Sequence, residues 1–314
     1  MVIKHQVGGI QMINKIRTDL ALEARESFPE DNVEIKGVVL TEDYNEEIKV
    51  KVSTVVIKDE KGAQAMQKPI GTYITLEAPE MRDSEDEYRK KVAEEVAKHL
   101  RTLAGDLKRE EILVVGLGNR DVTPDALGPQ VVDNLFITRH LINEYGKDFK
   151  ERHQLGNLSA ISPGVMAQTG MEAVEIVKGI IKETNPKLVI VIDALASRST
   201  TRVNTTIQLT DTGISPGSGV GNNRKALNEA SLGVKVIAIG VPTVVDAATI
   251  VSDTLTQYMK NSDFDEAEID TFISEVREQQ IDNMFVTPKD IDESVKQISF
   301  TVSEAINSCF AQLA

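Results

Sequence analysis

Tryptophan is absent from this chain, and aromatic residues make up 4% of its 314 residues. That scarcity argues against a surface on which nucleic-acid bases stack. Basic residues are outnumbered as well: 35 Lys and Arg stand against 49 Asp and Glu, a net charge of -14. A protein that grips phosphate backbones needs a basic face, so direct nucleic-acid binding is not expected. An acidic protein of this kind suits a soluble role or basic partners. One cysteine, Cys309, excludes an intramolecular disulfide and fits a reducing compartment. No apolar stretch approaches the roughly 20 residues of a membrane span. The opening "MVIKHQVGGIQMINKIRTDL" has no apolar run of the signal-peptide kind, so a cytoplasmic protein without a membrane partner is expected. His5, His99, His140 and His153 lack metal spacing such as H-E-x-x-H, and no G-x-S-x-G elbow is present.

What is present is enough apolar content, 41%, for a sizeable core. Residues 1–32 show no sustained periodicity and read as an arm. Residues 33–78 alternate, as in "VEIKGVVL", "IKVKVSTVVI" and "GTYITLEA", with "DEKG" as a turn, which predicts a small antiparallel β subdomain. An amphipathic helix over 84–104 follows, with Ser84 and Glu87 as its capping box. From 106 to 260 the rhythm becomes strand, helix, strand, helix. "EILVVGL", "KLVIVIDAL" and "VKVIAIGVP" are fully apolar strands, and "NTTIQLT" alternates as an edge strand would. "DALGPQVVDNLFITRHLI", "MEAVEIVKGIIKET" (opened by Thr169 with Glu172) and "TVVDAATIVSDTLTQYM" have helical spacing. The fold class is therefore α/β, a mostly parallel sheet with helices on both faces. Residues 264–314 add C-terminal helices, divided near Pro288.

The stretch "GLGNRDVTPDALGP", residues 116–129, stands where a phosphate cradle would. It lacks the third glycine of G-x-G-x-x-G and any Walker lysine, so a dinucleotide site is rejected. Its acids are more informative. Asp125 follows one buried strand, Asp193 ends another in "VIDALA", and Asp246 follows a third. Open α/β sheets bind ligands beyond the carboxyl ends of their strands. Two carboxylates brought close there resist joint ionisation. Such a pair can activate a water and protonate a leaving amine, or else hold a divalent metal that activates the water. Each acid also has a plainer role as a helix cap. "ISPGV" and "ISPGSGVG" read as rigid turns walling a cleft. Arg198 and Arg202 are placed to hold a carboxylate of a substrate or of the chain itself.

Together, "IRTDLALEARE", "GLGNRDVTPDALGP", "SAISPGVMAQTG", "VIDALASRSTTRVNTTIQLTDTGISPGSGVGNNRK" and "VIAIGVPTVVDAATIVSDT" resemble the germination proteases of spore-forming bacteria, over most of residues 16–255. The resemblance implies an endopeptidase of the atypical aspartic type that degrades small acid-soluble spore proteins in the spore core during germination. It implies a homotetramer, made as a zymogen, with a fold similar to that of the hydrogenase maturation endopeptidases. The family's two proposed catalytic aspartates match Asp125 and Asp193. Its cleavage preference, after an acid and before Leu-Ala-x-Glu, matches Asp19 and Leu20 in "RTDLALEARE". Residues 1–19 would then be a propeptide and 20–314 the peptidase domain. No cofactor is implied, and a metal at the acidic cluster stays open. Arg120-Asp121 departs from the family pattern, and Asp121 adds a third acid near Asp125. Beside the aspartic peptidase stand two alternatives: a metal-dependent peptidase using the same acids, and a catalytically inactive protein that binds spore proteins.

Overall fold

A computed structural model describes residues 18–26, 35–82, 85–217, 224–262, 264–265, 268–269, 271–272 and 284–311. Its strands are β1 (Val38–Asn45), β2 (Val50–Ile57), β3 (Gly71–Glu77), β4 (Glu111–Gly116), β5 (Asn157–Ile161), β6 (Leu188–Ser197), β7 (Thr206–Thr210), β8 (Lys235–Asp246) and β9 (Phe285–Val286). All nine belong to one mixed sheet in the order β1-β2-β3-β7-β8-β6-β4-β5, with β9 added on β8. β8, β6, β4 and β5 run parallel. The remaining neighbours are antiparallel.

The sheet is parallel in one half only, and the antiparallel N-terminal strands join the same sheet. The strand that joins the halves is β7, which the alternation of "NTTIQLT" had assigned to an edge. It is buried along its whole length between β3 and β8. Ile207 and Leu209 enter the main core. Gln208 faces the other way and finds a polar partner there: its Oε1 accepts a hydrogen bond from the Ala21 N–H at 2.8 Å. A buried strand keeps polar residues when those residues are hydrogen-bonded, and alternation alone does not reveal that.

Helices cover both faces. On one, α3 (Asp86–Ala104), α4 (Leu127–Asp133) and α10 (Ile291–Ile306) pack over β2, β3, β4, β6, β7 and β8 through Val92, Val96, Leu127, Val295, Val302 and their neighbours. On the other, α7 (Ala173–Thr184) and α8 (Glu229–Leu232) cover the parallel half. α1 (Ala21–Glu26) and α2 (Glu60–Met66) cover the antiparallel half. The chain continues past α10 in a widened π turn, Asn307–Ala311, where the Cys309 thiol is buried against the Ala97 carbonyl.

Several helix boundaries differ from the sequence reading. "DEKG" opens α2 instead of forming a turn, because Asp59 caps it by accepting from the Gly62 N–H at 2.9 Å. Ser84 lies outside the described residues, and α3 starts at Asp86. The helix expected after "VTPD" is broken into α4 and α5 (Arg139–Arg152). At the break, the buried Thr138 hydroxyl donates to Gly156 O at 2.7 Å and accepts from Leu158 N at 2.9 Å, which ties the chain to β5. Thr169 ends a short helix, α6 (Met166–Thr169), and α7 is opened by Glu172, whose N–H donates to Glu175 at 3.1 Å. β8 runs on through Asp246, and α9 (Ala247–Lys260) begins only after it. Of the two C-terminal helices expected over 264–313, α10 is the second; most of the first lies outside the described residues.

Candidate active site

The parallel half of the sheet aims β4, β6 and β8 at one rim. β4 ends at Gly116, and Leu117 N–H still bonds to Ile192 O on β6 at 2.8 Å. The chain then loops back on itself. A Cβ on Gly116 would overlap the Gly128 carbonyl oxygen, and one on Gly118 would overlap that of Asp125. Gly118 also has φ +115°, a conformation side chains rarely tolerate. The glycines of "GLGNRDVTPDALGP" therefore let a strand end and a helix start share one space. The turn Thr123–Asp125 fills it, pinned from β8 by the Thr243 hydroxyl, which donates to Pro124 O at 2.7 Å.

That turn directs Asp125 backward. Its Oδ2 accepts the Asn119 N–H at 2.8 Å, so the carboxylate bonds its own loop and caps no helix. Burial raises its pKa, and the Asn119 N–H partly opposes that. Asp193 lies within β6, opposite Gly240 of β8, and is 6% exposed. Its Oδ1 accepts the Ala194 N–H at 3.0 Å, a bond within the strand that is no cap either. Burial first, then the charges of Asp125 and Asp19, push its pKa well above the ordinary carboxyl value. Both carboxyls of the pair are thus pushed upward, Asp193 by burial and by its neighbours' charges.

Asp19 was expected at a cleavage site, and it lies against Asp193's own strand. Its N–H donates to Ala196 O at 3.0 Å, and Ala196 N–H donates to its Oδ2 at 3.0 Å. Leu20, Ala21 and Leu22 are buried beyond it. Glu23 is buried too, held by the N–H groups of Arg198 (2.7 Å) and Ser199 (3.0 Å), by Arg202 at 3.4 Å and by the Thr18 hydroxyl. Lys68, just after α2, reaches the same segment: its Nζ donates to Asp19 O at 2.8 Å. Burial lowers the pKa of that ammonium, against the pull of Asp19 and Glu23.

The other expected residues play different parts. Asp121 is exposed and accepts from Gln168 at 3.3 Å on the outer rim, while its neighbour Arg120 pairs with Asp133. The third acid acting on Asp193 is Asp19, which the strand-end reading had not placed there. Asp246 lies at the far end of β8 and accepts the Ala248 N–H at 3.0 Å, which is a capping role. Arg198 pairs with Asp253 at 3.1 Å. Arg202 binds carboxylates of the chain itself: Glu26 through two bonds of 2.6 Å and Glu77 at 2.8 Å. Among the described residues, no group of three or more His, Cys, Asp or Glu stands close enough to hold a metal ion. Lys68, Gln208 and Glu23 were missed. Only Glu23 left a sequence signal, the x-Glu that follows Leu-Ala.

The family model for germination protease matches residues 16–266. The germination protease of Caldanaerobacter subterraneus subsp. tengcongensis is 47% identical over 307 residues, 93% of each chain. That of Clostridium tetani is 44% identical over 308 residues, covering 93% of this chain and 94% of the other. That of Priestia megaterium is 48% identical over 255 residues, covering 78% and 68%. A solved [NiFe] hydrogenase maturation protease, HycI from Thermococcus kodakarensis KOD1, aligns over 67% of this chain and 99% of its own at 14% identity. Its TM-score of 0.33 is too low to bear on fold or chemistry.

Proposed function

This chain belongs to the germination protease family and is a spore-germination peptidase, and on that premise we propose that it is a self-processing aspartic endopeptidase. The Asp125–Asp193 pair shares one proton. The ionised member takes a proton from a water, and the water oxygen bonds to the carbonyl carbon of an acidic residue. The protonated member gives its proton to the amine as the C–N bond breaks, leaving a free amine and a carboxylic acid that loses its proton to solvent. The observation that carries this reading is the two-way hydrogen bonding of Asp19 with Ala196, which holds the Asp19–Leu20 segment against Asp193's own strand.

Residues 1–19 are then the propeptide of a zymogen. The substrates in trans are small acid-soluble spore proteins, met in the spore core by a homotetramer of this 34.5 kDa chain. No cofactor, nucleic acid or membrane is called for. Asp125→Asn and Asp193→Asn are each expected to slow removal of residues 1–19 by roughly 10²–10⁴-fold while leaving the protein folded. Mass spectrometry of the full-length chain over time reads this directly. Normal processing in either variant refutes the pair, and a cut at any other bond refutes the site.

A further inference from the structure

On the reading that Asp19–Leu20 is the bond cut, the pair described above accounts for the water and the leaving amine. It does not account for the third charge of the reaction. When water adds to the Asp19 carbonyl carbon, the carbonyl oxygen gains the electron pair of the C=O bond and becomes an oxyanion. Fixed donors aimed at that oxygen are commonly a large share of an acyl-transfer enzyme's rate.

Two donors point at it. The Lys68 Nζ lies 2.8 Å from Asp19 O, and the Gln208 Nε2 lies 3.5 Å from it. Neither donor belongs to the segment that carries the bond. Lys68 follows α2, whose final turn is closed by Gln67 in the left-handed region at φ 51°. Gln208 projects from the middle of the sheet and also takes the Ala21 N–H on its Oε1 at 2.8 Å, so its one amide spans the bond. The acidic residue itself is fixed from the opposite side by Ala196. The carbonyl is thus gripped by an ammonium and an amide.

We infer that Lys68 is a catalytic residue of this peptidase, the cation that stabilises the oxyanion formed at the Asp19 carbonyl, with Gln208 as the weaker second donor. The lysine takes no proton from the reaction and gives none. It holds the negative charge while the water oxygen bonds to carbon, and it releases that charge when the C–N bond breaks and the C=O bond re-forms. A lysine serves here because a single oxygen needs a compact point charge more than a two-pronged fork.

The test is self-processing of the full-length chain in Lys68→Met, Lys68→Arg and Asp193→Asn, followed by mass spectrometry. Lys68→Met is expected to slow the cut about 10²–10³-fold, and Lys68→Arg, which keeps the charge, to recover at least about tenfold of that loss. A merely structural lysine would instead loosen the docked segment. Docking is therefore read by amide exchange at Ala21, Arg198 and Ser199 in Lys68→Met combined with Asp193→Asn, where protection is expected to equal that of Asp193→Asn alone. Lost protection there, or processing in Lys68→Met within about threefold of the parent while Asp193→Asn is blocked, overturns the inference and leaves the aspartate pair standing. Normal processing in Asp193→Asn would remove the pair itself, a different failure.

Discussion

A carboxyl group buried as Asp193 is keeps its proton to a higher pH than in the unfolded chain, where it ionises as an ordinary aspartic acid. The folded state therefore binds the extra proton, and stability falls as pH rises from about 4 toward the raised pKa. Asn cannot ionise and escapes that loss. Asp193→Asn is accordingly expected to melt higher than the parent at pH 8, with a smaller difference at pH 5. Calorimetry on chains that both retain residues 1–19 checks it; a difference that is flat with pH would mean that Asp193 is not the proton holder. The sequence made Asp193 and Asp125 visible because strand ends in parallel sheets are where ligands gather. The residue pattern alone could not rank them against Asp121 and Asp246, since all four are acids in loops or at strand ends; the family resemblance did. The distinction lies in direction: Asp121 faces solvent and Asp246 faces a helix N–H. Lys68 and Gln208 were out of reach because their partner, Asp19, is 49 and 189 residues away along the chain.

Among the elements, the turn between β4 and α4 is the most demanding. It packs two backbones so closely that Gly118 has no room for a methyl group, and its φ is positive. Gly118→Ala is expected to cost on the order of 1–3 kcal/mol, read from the urea midpoint. It should also slow processing by tenfold or more, because a shift of about 1 Å in a catalytic group costs on the order of a hundredfold. Unchanged processing would show that Asp125 tolerates displacement. The elements themselves were mostly legible: the buried strands and α3, α7 and α10 carry their periodicity openly. β7 was not, because its Thr and Gln side chains read as solvated when all are buried, with Gln208 bonded to the start of α1. Nor was the α4–α5 break, since the pull of Thr138 toward β5 is a tertiary bond that helical spacing does not encode.

For the whole molecule, one sheet and one main core run from β2 to β8. Residues 35–82 share that sheet and core through Val50, Val52, Ile74 and Leu76, beside a smaller cluster of Val55, Ile57, Met66 and Tyr73. A single calorimetric transition is expected for Asp193→Asn, with the van't Hoff and calorimetric enthalpies in agreement. An earlier, separate transition assigned to residues 35–82 would restore an independent β subdomain. The sequence divided the chain there because period-two patterning gives way to longer apolar runs, yet that change marks the passage from a sheet covered on one side by short helices to one enclosed by long ones. The burial of Leu20 to Glu23 has its own consequence. On the proposed function, a cut before Leu20 removes what precedes it and leaves the buried Leu20–Glu23 segment joined to the enzyme. The new N-terminus is a tethered product, present at the millimolar effective concentration typical of short linkers. On that proposal, a substrate entering from outside would have to displace it first, so maturation would be a cut followed by a withdrawal.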